Sequence, residues 1–371
     1  MTSIDFAPPA DARGNGRVER FGTIVVGGGQ AGLSVGYHLQ QRDVDFVIVD
    51  TQQRIGDVWR NRWDSLRLFT PAKYSGLPGM PFPACPDHLP DKDEVADYLE
   101  RYAERNDLPV RSGTRAESLV HDGERWILRT SRGTLQADDV IVATGPFQRP
   151  KVPAVAARLD AGIHQLHSSA YRSPFDLPDG PVLVVGAGNS GAQIALELAR
   201  HRQVWLAGRD TGHLPRRVLG RDLFDWIWPL ARRFTVDTRI GRRVRSGVRE
   251  GGDALIGIPE RALIAAGVQR VGRVEEARDG LPVVDGTPIR PSAIVWCTGF
   301  AADYSWIDAP VFDESGWPRH RRGVATDATG LYFLGLRFQH RLTSSLVGGV
   351  GDDAEFLAEM VVRRAEATMA G

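Results

Sequence analysis

A chain of 371 residues has room for two or three domains, and 42% hydrophobic with 25% charged residues is ordinary for a globular protein. The formal net charge is zero, so nothing global draws the chain to nucleic acid or to an anionic membrane. Only two cysteines are present, Cys85 and Cys297, far apart, which argues against a disulfide framework and against a Cys-x-x-Cys redox centre.

Residues 1–20 are rich in proline, glycine and charge and read as a mobile tail. They hold no signal-like apolar run, and no segment approaches the roughly 20 apolar residues of a membrane span. The expected compartment is a reducing cytoplasm. Residues 21–26 show a short buried-strand pattern that runs into Gly27-Gly28-Gly29-Gln30-Ala31-Gly32 and a helical stretch, 33–41. A second strand, 44–49, ends on Asp50. Residues 54–90 are irregular and proline-rich and carry Trp59, Arg60, Trp63, Arg67 and Thr70. A long irregular stretch inside a compact domain is usually functional. It can wrap a cofactor and shape a pocket, or its tryptophans can fill core. Residues 92–105 read as a helix opened by Asp91 or Asp93. Residues 117–142 alternate apolar residues with turns at Asp122-Gly123 and Arg132-Gly133, a small antiparallel meander that closes on Thr144-Gly145.

The opening pattern then recurs. Residues 181–185 lead into Gly186-Ala187-Gly188-Asn189-Ser190-Gly191, a helical stretch 192–200 and a strand 203–207. Asp50 and Arg209 fall at the same distance after the third glycine of each copy, close to the roughly 20 positions expected. The run 294–297 with Thr298-Gly299 repeats the closing strand before Thr144-Gly145. A last strand, 331–334, and a helix over about 352–366 follow.

In each copy the first glycine permits a tight turn from strand to helix. The second lets the backbone approach a pyrophosphate, and the third lets helix and strand pack closely. The helix N-terminus then offers N–H groups to the phosphates. Two copies, each between strand and helix, make a chance glycine-rich turn a poor explanation. Asp50 can accept hydrogen bonds from an adenosine ribose, which suits FAD or NAD. Arg209 can pair with the 2′-phosphate of NADPH, or it can be a solvated arginine beside Asp210.

The fold class is therefore α/β: two Rossmann-like dinucleotide-binding domains, one inserted into the other. Residues 21–170 with 286–371 form the first and 171–285 the second. Arginines are dense over 209–249, interleaved with Leu223, Phe224, Trp226, Ile227, Trp228 and Leu230. One reading is a basic surface; the other is a lid over the substrate cleft with arginines outside and aromatic residues inside. The second is preferred, so no nucleic acid and no peripheral membrane contact are expected. His167 and Tyr171 can line the cleft between the domains, or they can be a linker histidine and a packed tyrosine.

These marks resemble the flavin-containing monooxygenases, including bacterial members and the plant indole-pyruvate flavin monooxygenases. The shared features are both fingerprints, Gly56-Asp57-Val58-Trp59-Arg60, Ala143-Thr144-Gly145, Cys297-Thr298-Gly299-Phe300 and Gly330-Leu331-Tyr332-Phe333-Leu334-Gly335. The family pattern has an aromatic residue and a glycine ahead of the histidine, where Ala161 and Ile163 stand here. The resemblance implies FAD on Gly27, Gly29, Gln30, Ala31, Gly32, Asp50, Trp59, Arg60, Thr144 and Gly145. It implies NADPH on Gly186, Gly188, Asn189, Ser190, Gly191, Arg209, Thr298 and Gly299, with Asn189, His167 and Tyr171 as candidate catalytic residues. NADPH would reduce FAD, and a C4a-(hydro)peroxyflavin formed with O2 would oxygenate a nitrogen, a sulfur or a carbonyl carbon of a small organic substrate. No metal is required, and no His/Cys cluster has ligand spacing. The alternatives are an NADPH-linked flavin reductase without oxygenation and a nucleotide-sensing regulatory flavoprotein.

Overall fold

The computed structural model describes residues 18–239, 241–243 and 254–370. The tail expected over residues 1–20 lies outside the described residues as far as residue 17, and the first strand begins at Glu19.

Short apolar runs without polar alternation must be covered on both faces, which is what helices flanking a parallel sheet provide. Phe46–Val49, Val182–Val185 and Ala293–Trp296 are such runs, each buried along its whole length. They build two sheets with matching orders. The first runs Val110–Arg111, Phe46–Val49, Glu19–Val26, Gly133–Val142, Leu331–Phe333, all parallel. The second runs Val268–Val271, Val204–Ala207, Val182–Val185, Ala293–Trp296, His164–His167, also parallel. Each fingerprint strand is central, with the strand before its Thr-Gly pair as neighbour. The expected meander is present as Ala116–His121, Trp126–Thr130 and the near half of Gly133–Val142.

The second sheet reaches past the expected limits of 171 and 285, because His164–His167 and Ala293–Trp296 are two of its five strands. The chain crosses between the sheets through a small antiparallel ribbon, Arg149–Pro150 paired with Phe300–Ala301. The helix Lys92–Arg105 takes Asp91, not Asp93, as its N-cap, in a capping box closed by Glu94.

The last helix, Gly351–Ala370, packs back on the first sheet's fingerprint helix, Gln30–Gln40. A two-pronged ion pair fixes it to the sheet: Arg364 Nε and Nη2 donate to the two oxygens of Asp139 at 2.7 and 2.8 Å. Asp139 is almost fully buried, and burial pushes its carboxyl above the usual range while Arg364 pulls it down. Removing one partner of a buried pair strands the other charge. Arg364→Ala should therefore destabilise the fold by about 3 kcal/mol. A urea midpoint lowered at unchanged slope would show it, and an unchanged midpoint would assign the helix's anchorage to apolar packing alone.

Candidate functional site

The two fingerprints fold alike down to individual contacts. Gly27 N donates to Val49 O and Gly186 N to Ala207 O, each at 2.8 Å. Gly27 has φ +113° and Gly186 φ +110°, the left-handed half of the map that glycine tolerates. A Cβ on Gly27 would stand 2.6 Å from Ala143 O, and one on Gly186 would collide with Cys297 O. The third glycines are equally closed: a Cβ on Gly32 would strike Gly27 O, and one on Gly191 would strike Gly186 O.

The middle glycines differ. Gly29 and Gly188 cap their helices with ordinary φ values of −81° and −78°, and a Cβ on either would meet nothing within 4 Å. Neither backbone strain nor packing requires glycine there. Neither helix start has a side-chain cap, so its first N–H groups face outward. Those are the properties of a cradle for a pyrophosphate, and a Cβ would fill it. Gly145 and Gly299 repeat the correspondence, with φ +70° and +81° and open space at the Cβ position. Gln30 and Ser190 lie in the first turns, while Ala31 is buried against the core.

Asp50 stands at the edge of the first cradle. It accepts from Gly28 N and, at 2.6 Å, from Gln52 N. Burial pushes its carboxyl upward against those bonds. A carboxylate has about four acceptor sites, so two are left for ribose hydroxyls. The strand register gives this position a different counterpart from the expected one. Val49 pairs with Val26 as Ala207 pairs with Val185, so Gly208 matches Asp50 and Arg209 falls one residue beyond. The second fingerprint helix has 10 residues against 11 in the first, which accounts for the shift. At Gly208 no carboxylate stands in the way of a phosphate. The exposed Arg209 guanidinium beside it has no hydrogen bond or ion pair among the described residues.

The three residues expected to be catalytic are committed elsewhere. Tyr171 is fully buried, and its hydroxyl donates to Glu197 at 2.7 Å, so it does not line the cleft. Asn189 Nδ2 donates to Ala254 O at 3.1 Å and its Oδ1 accepts from Ile256 N at 2.9 Å, tying that segment to the helix start. His167 Nε2 lies 3.0 Å from Gly299 O, and Ser169 N donates to Nδ1 at 3.1 Å. A carbonyl only accepts and an N–H only donates, so the imidazole carries its proton on Nε2 and is neutral. Burial lowers its pKa in the same sense.

Arg60 is likewise spent: it meets Asp97 and Glu100 at 2.9 Å and Ile55 O at 2.6 Å, stapling its turn to the helix Lys92–Arg105. Trp59 is half-buried against the core. Thr144 accepts from Gln148 Nε2, and Gln148 Oε1 accepts from Asp303 N, so one glutamine spans both halves of the crossing. Thr298 Oγ1 donates to Lys151 O across the same ribbon. Sequence reasoning missed Gln148; its place four residues after Thr144 was the signal. It also missed Gln193, whose amide makes reciprocal bonds to the Arg67 backbone.

The 54–90 segment joins the domains. Trp63 and Leu66 enter the second domain's core with Tyr171 and Val182. The helix Leu223–Arg233 closes over it, with Phe224 stacked on Phe69 at 6.2 Å and Trp228 on Tyr74 at 4.9 Å. The expected inside–outside division of this lid is kept only in part: Phe224 and Trp228 face inward, whereas Trp226 and Leu230 face outward and Asp222 and Asp225 turn inward.

Residues 24–335 match the pyridine nucleotide-disulphide oxidoreductase family. The chain is 44% identical over 338 residues to an uncharacterized CzcO-like oxidoreductase of Geobacillus kaustophilus, covering 90% of this chain and 96% of that one. Against the probable indole-3-pyruvate monooxygenase YUCCA7 of Arabidopsis thaliana it is 28% identical over 360 residues, 85% of this chain and 82% of that protein. The solved flavin-containing monooxygenase of Stenotrophomonas maltophilia superposes with a TM-score of 0.76 at 27% identity, over 94% of this chain and 100% of that one. The chain belongs to the pyridine nucleotide-disulphide oxidoreductase family and is an oxidoreductase; its fold is that of the flavin-containing monooxygenase of Stenotrophomonas maltophilia. Its cysteines are both free, Cys85 exposed and Cys297 walled in, so no disulfide stands ready to take electrons. Among the described residues no helix is long and apolar enough to cross a membrane and no side-chain cluster could hold a metal ion.

Because the fold does not need glycine at Gly29 or Gly188, substituting either isolates ligand binding from folding. Gly29→Ala should leave the thermal midpoint of the apoprotein unchanged and yield weakly coloured protein. Gly188→Ala should keep the yellow colour and weaken NADPH binding by about tenfold or more. The flavin-to-protein absorbance ratio and an NADPH titration separate the two. An unchanged ratio in Gly29→Ala would remove FAD from the first cradle.

Proposed function

We propose that the chain oxygenates a small organic substrate with O2, drawing electrons from NADPH through FAD. NADPH, a proton, O2 and the substrate are converted to NADP⁺, water and a product carrying one added oxygen atom. The bound flavin supplies the hydride acceptor and the electrons that activate O2. The observation that carries this reading is the pair of open cradles at Gly29 and Gly188, in a chain with no cysteine pair.

In this reading the N–H groups at the start of Gln30–Gln40 take the FAD pyrophosphate, and Asp50 takes the ribose hydroxyls. The start of Asn189–Leu198 takes the NADPH pyrophosphate, with Gly208 leaving room for the 2′-phosphate and Arg209 pairing with it. The NADPH unit lies between the two strands of the crossing ribbon, residues 151–299, with the FAD unit on either side. His167 and Gln148 are positioning residues: they hold the Thr-Gly turns between the two nucleotides. The lid and the 54–90 segment exclude water from the cleft.

Turnover with a simple alkyl aryl sulfide or a tertiary amine under isotopically labelled O2 tests the reaction. The expected result is label in the product and little hydrogen peroxide per NADPH consumed. NADPH oxidation with all electrons recovered as peroxide and no labelled product would favour a flavin reductase. Absence of any turnover would favour a nucleotide sensor. Arg209→Ala should raise KM for NADPH by about tenfold or more and leave that for NADH unchanged, since only NADPH loses a charge-assisted contact. Equal effects on both would make Arg209 a bystander.

A further inference from the structure

Beside the lid helix the chain makes a hairpin whose strands are Arg217–Val218 and Arg221–Asp222. Its two-residue turn is Leu219-Gly220, with φ +51° and +78°. Positive φ at both central positions is the turn that favours Asn-Gly; a leucine in the first place is unfavourable. This leucine is 87% exposed, so it gives the fold no burial in return. Strained, exposed apolar residues of this kind point to function elsewhere than in folding.

The surroundings share one character. Trp226 is 41% and Leu230 50% exposed, one helical turn apart. Trp226 Nε1 donates to Val218 O at 3.1 Å, which holds the tryptophan against the hairpin. Arg221 lies over its ring at 5.7 Å. Arg217 and Arg221 flank the tip, both exposed, and neither has a carboxylate partner among the described residues. The nearby acids are neutralised inward: Asp222 pairs with Arg216 at 2.8 Å, and Asp225 with Lys73 at 2.6 Å and Tyr74 at 2.7 Å. What faces outward is an apolar apex, an aromatic shoulder and two guanidinium groups with no carboxylate partner among the described residues.

We propose that the Leu219 tip and the outer face of the helix Leu223–Arg233 dock on the surface of a bilayer carrying anionic headgroups. The apex enters the acyl boundary, Trp226 sits at headgroup depth, and Arg217 and Arg221 meet lipid phosphates. A second copy of the chain is a poorer occupant, because the symmetric contact would bring the same arginines together. The chain's zero net charge adds no global attraction, so the pull on anionic lipid is local and attachment is reversible. This reverses the expectation of no membrane contact, which rested on aromatic residues facing inward.

Co-sedimentation of the full-length holoprotein with vesicles tests it. Vesicles of equal parts phosphatidylglycerol and phosphatidylcholine should pellet the protein, pure phosphatidylcholine should not, and high salt should release it. Leu219→Asn suits the left-handed turn better than leucine, so it should fold with full flavin content and an equal or higher thermal midpoint. It should nevertheless partition about tenfold less. Arg217→Gln and Arg221→Gln should each cost about fivefold. No pelleting of the wild type, or pelleting untouched by all three substitutions, would overturn the proposal. So would a dimer in sedimentation velocity that Leu219→Asn dissolves, or binding to double-stranded DNA in place of vesicles.

Discussion

A carbonyl oxygen stands where a side chain on Gly27 would begin, and another blocks Gly186 in the same way. In each domain the first glycine carries that carbonyl on one side and the third glycine of the fingerprint on the other. Strand end, helix start and Thr-Gly turn are thereby locked in a three-way contact with no side chain inside it. Interiors do not yield by an ångström to admit a methyl group, so the helix N-terminus has one position relative to the sheet. The cradle is what this packing leaves over. Its middle glycine is free because everything around it is fixed.

The relation between the domains rests on a different kind of contact. A ribbon of two residues per strand is a weak device by itself. It is reinforced at Gly299, whose carbonyl accepts from Lys151 N at 2.9 Å and faces His167 Nε2 at 3.0 Å. Both lone pairs of that oxygen are used, and because Nδ1 accepts from Ser169 N the imidazole stays neutral, so its burial costs little. Gln148 does the same service at Thr144. A histidine beside a dinucleotide site invites a catalytic reading, yet this one gives its polar atoms to the turn that has to be held.

How much of this was legible follows from sequence distance. The fingerprints, the Thr-Gly strands and the meander are local patterns, and they fold as local patterns. Sheet edges are not local: His164–His167 joins a sheet whose fingerprint strand comes later in the chain, so a boundary drawn at 171 cuts it off. Arg60 is adjacent to Trp59 in a motif, but its partners Asp97 and Glu100 lie on a helix well downstream. Periodicity says nothing about such a pair. The Arg209 register was hidden by one residue of helix length, since counting from the glycines assumes two copies of equal length. Tyr171 shows the converse, because an aromatic near a cleft in sequence can be drawn into core by a single acceptor, here Glu197.

The lid departs from the rule of polar outside and apolar inside for a reason that pairing supplies. An aspartate turned inward is expensive only if it stays unpaired. Asp225 finds Lys73 and Tyr74, and Asp222 finds Arg216 while also capping the helix through Phe224 N at 2.9 Å. With its acids satisfied on the inner face, the helix can present tryptophan and leucine outward. The Asp225–Lys73 pair is partly exposed on both sides, and such a pair contributes only about 0–1 kcal/mol. The lid is therefore held mainly by Phe224 against Phe69, Trp228 against Tyr74, and Arg216 Nη1 donating to Phe69 O at 2.6 Å. All three converge on residues 69–74, so whatever shifts that short stretch moves the lid, the cleft it covers and the outward face together.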